Sequence, residues 1–169
     1  IWFSLTTLDG LTSNSVNSLV PDAAGNLWIG TEGGVSVLLD AFTPAASPSP
    51  KGAELGLPSS AAVLVVIRQF NATNPTDGLG ASVAGAGDAN GDGYPDILVG
   101  APDSDPGGRV DAGSAYLYSG KDGSTLCRYD GEFSYDHFGA VGRAGDIGAQ
   151  DGKSDIVVGV EYRDPDGRV

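Results

Sequence analysis

The stretch Asp88-Ala89-Asn90-Gly91-Asp92-Gly93-Tyr94-Pro95-Asp96, followed at once by Ile97-Leu98-Val99, decides the fold class of this chain. Side-chain oxygens stand at relative positions 1, 3, 5 and 9 of the stretch, and the backbone carbonyl of position 7 offers one more. Calcium accepts about six to eight oxygen ligands in flexible geometry, and a glycine after the third ligand permits the sharp turn. The spacing predicts a Ca²⁺ site made by Asp88, Asn90, Asp92, the Tyr94 carbonyl and Asp96.

The residues after the loop indicate that it joins two strands. An EF-hand would continue as a helix and carry a Glu at position 12. That position is Val99 here, inside an apolar, β-branched run that is typical of a strand. The sequence therefore excludes the EF-hand and predicts a calcium loop within a β-hairpin.

Composition favours an all-β chain with many tight turns. The 169 residues include 27 Gly and 10 Pro but no Met, and strand-forming residues occur in short runs. The net charge of −13 argues against nucleic acid or an anionic membrane as a partner. The longest apolar stretch, Ala61 to Ile67, is too short for membrane insertion. Cys127 is the single cysteine, so we expect no internal disulfide and a buried thiol that packs as a small hydrophobe.

The first segment predicts a three-stranded meander. Strands are expected over 15–20, 27–31 and 35–39, with Gly-containing turns between them. Such a meander forms most of a propeller blade. Trp28 is interpreted as a core aromatic of the blade rather than as a residue that stacks on a ligand.

The remaining chain divides at a Pro-rich stretch and then repeats itself. We predict a regulator-propeller-like blade over 1–43, a Pro/Ala/Ser-rich linker over 44–60 and repeats over 61–169. Six matched positions share an offset of 59 residues, which indicates stacked repeat units. The pairs include Phe70 with Tyr129 (129 − 70 = 59) and Asp96 with Asp155 (155 − 96 = 59). The expected fold is a β-propeller fragment of about two to three four-stranded antiparallel blades.

Two stretches resemble known propeller repeats. Gly25-Asn26-Leu27-Trp28-Ile29-Gly30-Thr31, with Asp9-Gly10-Leu11 before it, resembles the two-component-regulator propeller repeat. Residues 79–88, the predicted cation loop and Gly100-Ala101-Pro102 resemble the FG-GAP repeat of integrin α-type propellers, although Leu79 replaces the usual Phe. The second resemblance implies calcium at the outer end of a blade hairpin, an extracellular, cell-surface or periplasmic location, and a non-catalytic role in adhesion or ligand recognition.

A second loop follows 59 residues later with a weaker ligand pattern. Its candidate ligands are Asp146, Asp151, Lys153 through its carbonyl, and Asp155. Counting back from Asp151, the first ligand position falls on Ile147, so Asp146 serves only if an extra residue bulges out. A turn that keeps the shape without binding the metal remains the alternative.

No enzyme is predicted. His137, the sole histidine, lies beside Asp136, but no nearby Ser, Cys or second ligand completes a catalytic arrangement, and it is expected to be a solvated loop residue. Asn71-Ala72-Thr73 matches the glycosylation pattern, which matters only in a secreted eukaryotic chain. The chain has no initiator Met, so we expect further blades in a larger protein.

The predicted function is a calcium-binding propeller segment whose ligand is a protein or glycan. An accessory propeller of a secreted polysaccharide- or lipid-active enzyme is one alternative. The sensor region of a signalling kinase is the other.

Overall fold

The computed structural model describes residues 6–7, 11–22, 25–38, 66–148 and 151–161, and in them the chain is built from antiparallel β-sheet. Two sheets have four strands each and a third has two. The all-β propeller architecture and the estimate of two to three blades are thereby confirmed. The predicted linker over 44–60 lies outside the described residues.

The first sheet contains strands β1 (Val16–Pro21), β2 (Leu27–Thr31), β3 (Gly34–Leu38) and β4 (Val66–Asn71) in sequential order. Each strand pairs with its predecessor, and the two-residue turn Glu32-Gly33 joins β2 to β3. The three strands expected at the N-terminus form as predicted.

The second sheet contains β5 (Ser82–Gly87), β6 (Asp96–Ala101), β7 (Ser114–Tyr118) and β8 (Thr125–Asp130), again in sequential order. The third pairs β9 (Phe138–Gly145) with β10 (Asp155–Val160). Strand β5 contacts β1 on one side and β9 on the other, so the first strands of three successive blades are neighbours.

Strand β4 belongs to the first sheet, although the predicted division placed it with the repeats of 61–169. It pairs with β3 along its length, from Gly34 opposite Asn71 to Leu38 opposite Val66. The 59-residue repeat explains the difference. Its period relates β4 to β8, the last strands of two blades, so the sequence repeat starts one strand before the structural blade.

Strand β6 is the centre of the core because it is buried on both faces. Ile97, Val99 and Ala101 pack with Trp28 and other residues of the first blade. Leu98 points the other way, into a cluster that receives Val141, Ile156 and Val158 from the third sheet. A strand buried on both faces needs a continuous apolar run rather than alternation, which is what Ile97-Leu98-Val99 supplies.

Each blade packs on the next through a glycine carbonyl that lies against a glycine of the preceding blade. The carbonyl oxygen of Gly80 lies against Gly30 and accepts a hydrogen bond from the Ser18 hydroxyl at 3.4 Å. One blade later, the carbonyl of Gly139 lies against Gly100 and accepts from Ser82. A Cβ on either Gly30 or Gly100 would collide with that carbonyl, so both positions require glycine for close approach. Two different repeat types thus present one common docking geometry.

Trp28 is a core residue, as predicted, and it is fixed by the turn before it. Its indole Nε1 donates to Asp22 Oδ2 at 2.9 Å, while Asp22 Oδ1 accepts from the Asn26 backbone N–H at 2.9 Å. Its ring stacks on Phe70 of β4 with the centroids 5.8 Å apart. The Gly25-Asn26-Leu27-Trp28 motif therefore closes a hairpin and delivers one aromatic into the interface between blades.

Cys127 is exposed, so the expectation of a buried thiol was wrong. It lies on β8, the outer edge strand of its sheet, where Leu126 is the half-buried residue and its neighbours face solvent. The error came from the general tendency of unpaired cysteines to be buried, which does not hold on this mostly exposed edge strand.

Candidate metal centre

The predicted cation loop connects β5 to β6 and is held in a tight turn. Gly91 and Gly93 have φ of 81° and 86°, a left-handed conformation that favours glycine. The loop ends at Asp96, the first residue of β6 and fully buried. The Asn-Gly-Asp-Gly sequence therefore forms the tight turn, because its two glycines adopt positive φ without a steric cost.

Asp96 closes the loop and ties it to the neighbouring hairpin. Its Oδ2 accepts the backbone N–H groups of Ala89 and Asn90 at 2.9 and 3.2 Å. Its Oδ1 accepts the N–H of Gly120, in the turn between β7 and β8, at 3.1 Å. One buried carboxylate thus joins both hairpins of the blade at the same end.

Asp88 organises the first half of the loop through the backbone. Its Oδ1 accepts from Gly91 and Asp92 at 2.7 and 3.0 Å, and its Oδ2 accepts from Gly93 at 2.9 Å. These three N–H groups converge on one carboxylate, so the loop wraps around the Asp88 side chain.

Asn90 and Asp92 face each other on the outer part of the loop. The Asp92 N–H donates to Asn90 Oδ1 at 2.8 Å, and Asn90 Nδ2 donates to Asp92 Oδ2 at 3.1 Å. Asp92 Oδ1 accepts from the backbone N–H of Tyr94 at 3.0 Å. The structure thus holds all five predicted residues in one hydrogen-bonded loop.

The donor set suits a hard cation. A carboxylate or amide oxygen has two acceptor sites, so an oxygen that accepts one N–H keeps a second lone pair. Five side-chain oxygens of the loop accept a single hydrogen bond. They are Oδ2 of Asp88, Oδ1 of Asn90, both oxygens of Asp92 and Oδ1 of Asp96. With the Tyr94 carbonyl they equal the lower limit of calcium's ligand number, which waters can complete.

These acids do not form a compact cluster. Among the described residues, no group of three or more His, Cys, Asp or Glu side chains is placed to hold a metal ion. The carboxylates of the loop point instead at backbone N–H groups. For an ion to bind, the side chains of Asp88, Asn90 and Asp92, which are on a surface loop, would have to turn toward a common point.

The second loop repeats the hydrogen bonds of the first. Asp155 Oδ2 accepts the N–H groups of Ile147 and Gly148, both at 2.8 Å, as Asp96 does in the first loop. Asp146 Oδ2 accepts from Gly152 at 3.0 Å, the counterpart of the Asp88 to Gly93 bond.

Asp151 and Lys153 complete that correspondence. The Lys153 N–H donates to Asp151 Oδ1 at 3.0 Å, matching Tyr94 and Asp92. Asp146 therefore occupies the first position. The residue equivalent to Asn90 is then Gly148, whose N–H donates to Asp155 as that of Asn90 donates to Asp96 and which has no side-chain oxygen.

The opposite end of the blades carries a different set of polar residues. His137 is not simply solvated as expected, because its Nδ1 lies 3.2 Å from Asp103 Oδ1 and its side chain is mostly buried. His137 sits at a φ of 48°, which its backbone N–H bond to Asp111 stabilises. This contact joins the loop after β6 to the loop before β9. No sequence pattern indicates this contact, because the two residues are 34 positions apart.

Two acidic groups near that end have raised pKa values. Burial raises the pKa of Asp77, and burial followed by the proximity of Tyr116 raises the pKa of Tyr118 to about 12. Both residues line a small cavity beside Asn71, whose backbone ends β4. Asn71 of the glycosylation pattern is exposed.

Comparison with known families identifies both repeat types. Residues 79–118 match the FG-GAP repeat, and residues 10–33 match the two-component regulator propeller. The first match covers the first cation loop with β5, β6 and β7. No curated protein matches the chain. No described helix has the length and apolar character to cross a membrane.

Proposed function

Starting from a β-propeller segment that combines an FG-GAP repeat with a regulator-type repeat, we propose that this chain binds calcium and serves ligand recognition or adhesion outside the cytoplasm. The ligand is a protein or a glycan, and the segment itself is not catalytic. The observation that carries the calcium assignment is the set of singly bonded oxygens on Asp88, Asn90, Asp92 and Asp96 in one loop.

The residues that would hold the ion are Asp88, Asn90, Asp92 and Asp96 through side chains and Tyr94 through its carbonyl. Three carboxylates in a nine-residue stretch repel one another, and a divalent cation offsets that repulsion. Because Asp96 also accepts from Gly120, an ion bound to Asp96 would stabilise the β5–β6 and β7–β8 connections together. The role of calcium is therefore structural.

The exposed loop supports a weak site. Asp92 and Gly93 are open to solvent, and three N–H groups already occupy Asp88. Calcium sites of extracellular modules have dissociation constants on the order of 0.1–1 mM, and we expect the first site in that range. Such a site is filled only where calcium is abundant, which supports an extracellular, cell-surface or periplasmic location.

The second loop would bind calcium more weakly through Asp146, Asp151, Asp155 and the Lys153 carbonyl. It lacks a side-chain oxygen at the position of Asn90, because Gly148 stands there. Recognition would use the opposite end of the blades. There the side chain of His137, before β9, contacts that of Asp103, after β6, so loops of adjacent blades are held together.

The match over residues 10–33 favours a second candidate, the extracytoplasmic sensor region of a signalling kinase. A transmembrane helix and kinase encoded downstream in the complete gene would select it. A downstream hydrolase or lyase module would select the accessory propeller of an enzyme instead.

Calorimetric calcium titration tests the assignment. Asp92→Asn removes one carboxylate charge and retains a hydrogen-bond acceptor, so we expect at least tenfold weaker binding at the first site. Glu32→Gln, at the exposed turn between β2 and β3, removes the same charge outside the loop and should leave the affinity within twofold of wild type. Wild-type-like binding by Asp92→Asn refutes the site.

A further inference from the structure

The side chain of Lys153 reaches from the third blade onto the first cation loop. Its Cε lies 3.0 Å from the position that a Cβ on Gly91 would take, and its Cδ and Cγ lie 3.8 Å from that point. Gly91 stands between Asn90 and Asp92 in the candidate site. The ammonium, one bond beyond Cε, is therefore beside the acidic loop of the neighbouring blade.

Backbone hydrogen bonds at Lys153 and at the next residue hold this segment against the first cation loop. The next residue, Ser154, donates its N–H to the Asp88 carbonyl at 3.1 Å, and its hydroxyl fills the space beside Gly87. The N–H of Lys153 itself donates to Asp151 Oδ1. The lysine thus projects from a segment that is docked on the first loop, so its direction is set by the blade interface.

The Lys153 ammonium has no salt-bridge partner among the described residues. The ion pairs found there are Arg128 with Asp130 and His137 with Asp103, so no described carboxylate lies within 4.0 Å of the Lys153 ammonium. The loop beneath it carries Asp88, Asp92 and Asp96. A lysine on a flexible stem, near three carboxylates but bonded to none, acts through its charge rather than through one hydrogen bond.

We propose that Lys153 is a built-in counter-charge for the first cation loop, supplied by the adjacent blade. Without calcium its ammonium reduces the repulsion among the loop carboxylates and stabilises the contact between the second and third blades. With calcium it repels the ion and lowers the affinity of the first site. The inference rests on the proposed calcium function and adds to it a residue that tunes affinity across a blade interface.

The expected size of the effect follows from the charges. A unit charge about 7 Å from a divalent ion in a solvent-like dielectric changes the binding constant about sevenfold without salt and about twofold with physiological screening. Removing the charge from Lys153 should therefore tighten calcium binding about two- to sevenfold. Arg143, whose Nε lies 3.3 Å from the corresponding Cβ position of Gly87, adds a second positive charge on the same side.

Lys153→Met tests the proposal, because methionine keeps most of the stem against Gly91 and removes the charge. Lys153→Arg is the matched control that retains the positive charge. Arg128→Met removes one positive charge from β8, outside the cation loop. Each variant is measured by calorimetric calcium titration and by thermal unfolding in the presence of a chelator.

Lys153→Met should bind calcium about two- to sevenfold more tightly, the larger factor at low salt, and unfold at a lower temperature in chelator, whereas Lys153→Arg and Arg128→Met should bind as wild type does. Equal affinities for wild type and Lys153→Met, with wild type binding calcium, overturn the inference and leave the calcium site in place. A wild type that binds no calcium overturns both. An unchanged midpoint in chelator overturns the counter-charge role.

Discussion

Replacing Gly100 by alanine would test the contact that joins the blades. The added Cβ would collide with the carbonyl of Gly139 and with the hydroxyl of Ser82, which bond to each other. Both obstacles belong to β-strands, so the methyl group can be accommodated only if the third sheet moves. Gly100 lies outside the left-handed region of φ, so the effect is steric and not conformational.

The magnitude follows from two costs. Overpacking a filled interface costs about 1–3 kcal/mol, and loss of the hydrogen bond from Ser82 to Gly139 adds about 1 kcal/mol. The free energy of unfolding should fall by about 2–4 kcal/mol. With a urea m-value of about 2 kcal/mol per molar, the midpoint should fall by about 1–2 M.

The matched control is Gly159→Ala, at the equivalent position one repeat later (100 + 59 = 159). The nearest atom to a Cβ there is the Ala140 Cβ at 3.6 Å, an ordinary contact. Urea unfolding followed by circular dichroism should show a change within about 1 kcal/mol for this variant, on the stabilising side. Equal midpoints for the two variants would refute the docking role assigned to Gly100.

Three further predictions concern side chains outside the metal centre. The pKa of Tyr118 is raised to about 12 in the folded chain, so the free energy of unfolding should be highest below pH 10 and should fall by about 2 kcal/mol as the pH rises to 12. The urea midpoint of Tyr118→Phe should not show that fall. Asp22→Ala should lower the free energy of unfolding by about 2–3 kcal/mol because it leaves the buried Trp28 N–H without an acceptor, whereas Asp22→Asn should lose less than half of that; equal urea midpoints would contradict the bond. Cys127 should react with Ellman's reagent in the native protein at the rate of a free thiol, and protection until denaturant is added would contradict its exposure.

The fold could be predicted to a large extent because local sequence and global packing agree. The run Ile97-Leu98-Val99 indicates a strand buried on both faces, and the 59-residue period indicates stacked units of about four strands. The position of β4 could not be predicted, because its partner β3 lies beyond a long Pro-rich stretch. A repeat period reveals the length of the unit and leaves open where the structural blade begins.

The residues of the candidate metal centre could be chosen from the sequence, whereas the contacts between the loop and its neighbours could not. Spacing alone identified Asp88, Asn90, Asp92 and Asp96, which the structure brings into one loop. It did not indicate that Asp96 bonds to Gly120, nor that Lys153 extends over Gly91, since both contacts cross between hairpins or blades. The hydrogen bond from Gly152 to Asp146 in the second loop is likewise a property of the folded chain.

The same limit explains the error at Cys127. Burial of a small apolar residue depends on whether its strand lies at the edge or in the middle of a sheet. Strand β8 is at an edge, and the expectation for Cys127 followed the general behaviour of the residue type rather than the position of its strand. The contact between His137 and Asp103 is a comparable case, because it depends on loops from adjacent blades.

The most direct test of the calcium assignment is a crystal structure grown with millimolar calcium, with the ion located by anomalous scattering. The account predicts one ion in the β5–β6 loop, about 2.3–2.6 Å from oxygens of Asp88, Asn90, Asp92 and Asp96 and from the Tyr94 carbonyl. A loop that stays without an ion under these conditions, or an ion bound elsewhere and not to these residues, would contradict it.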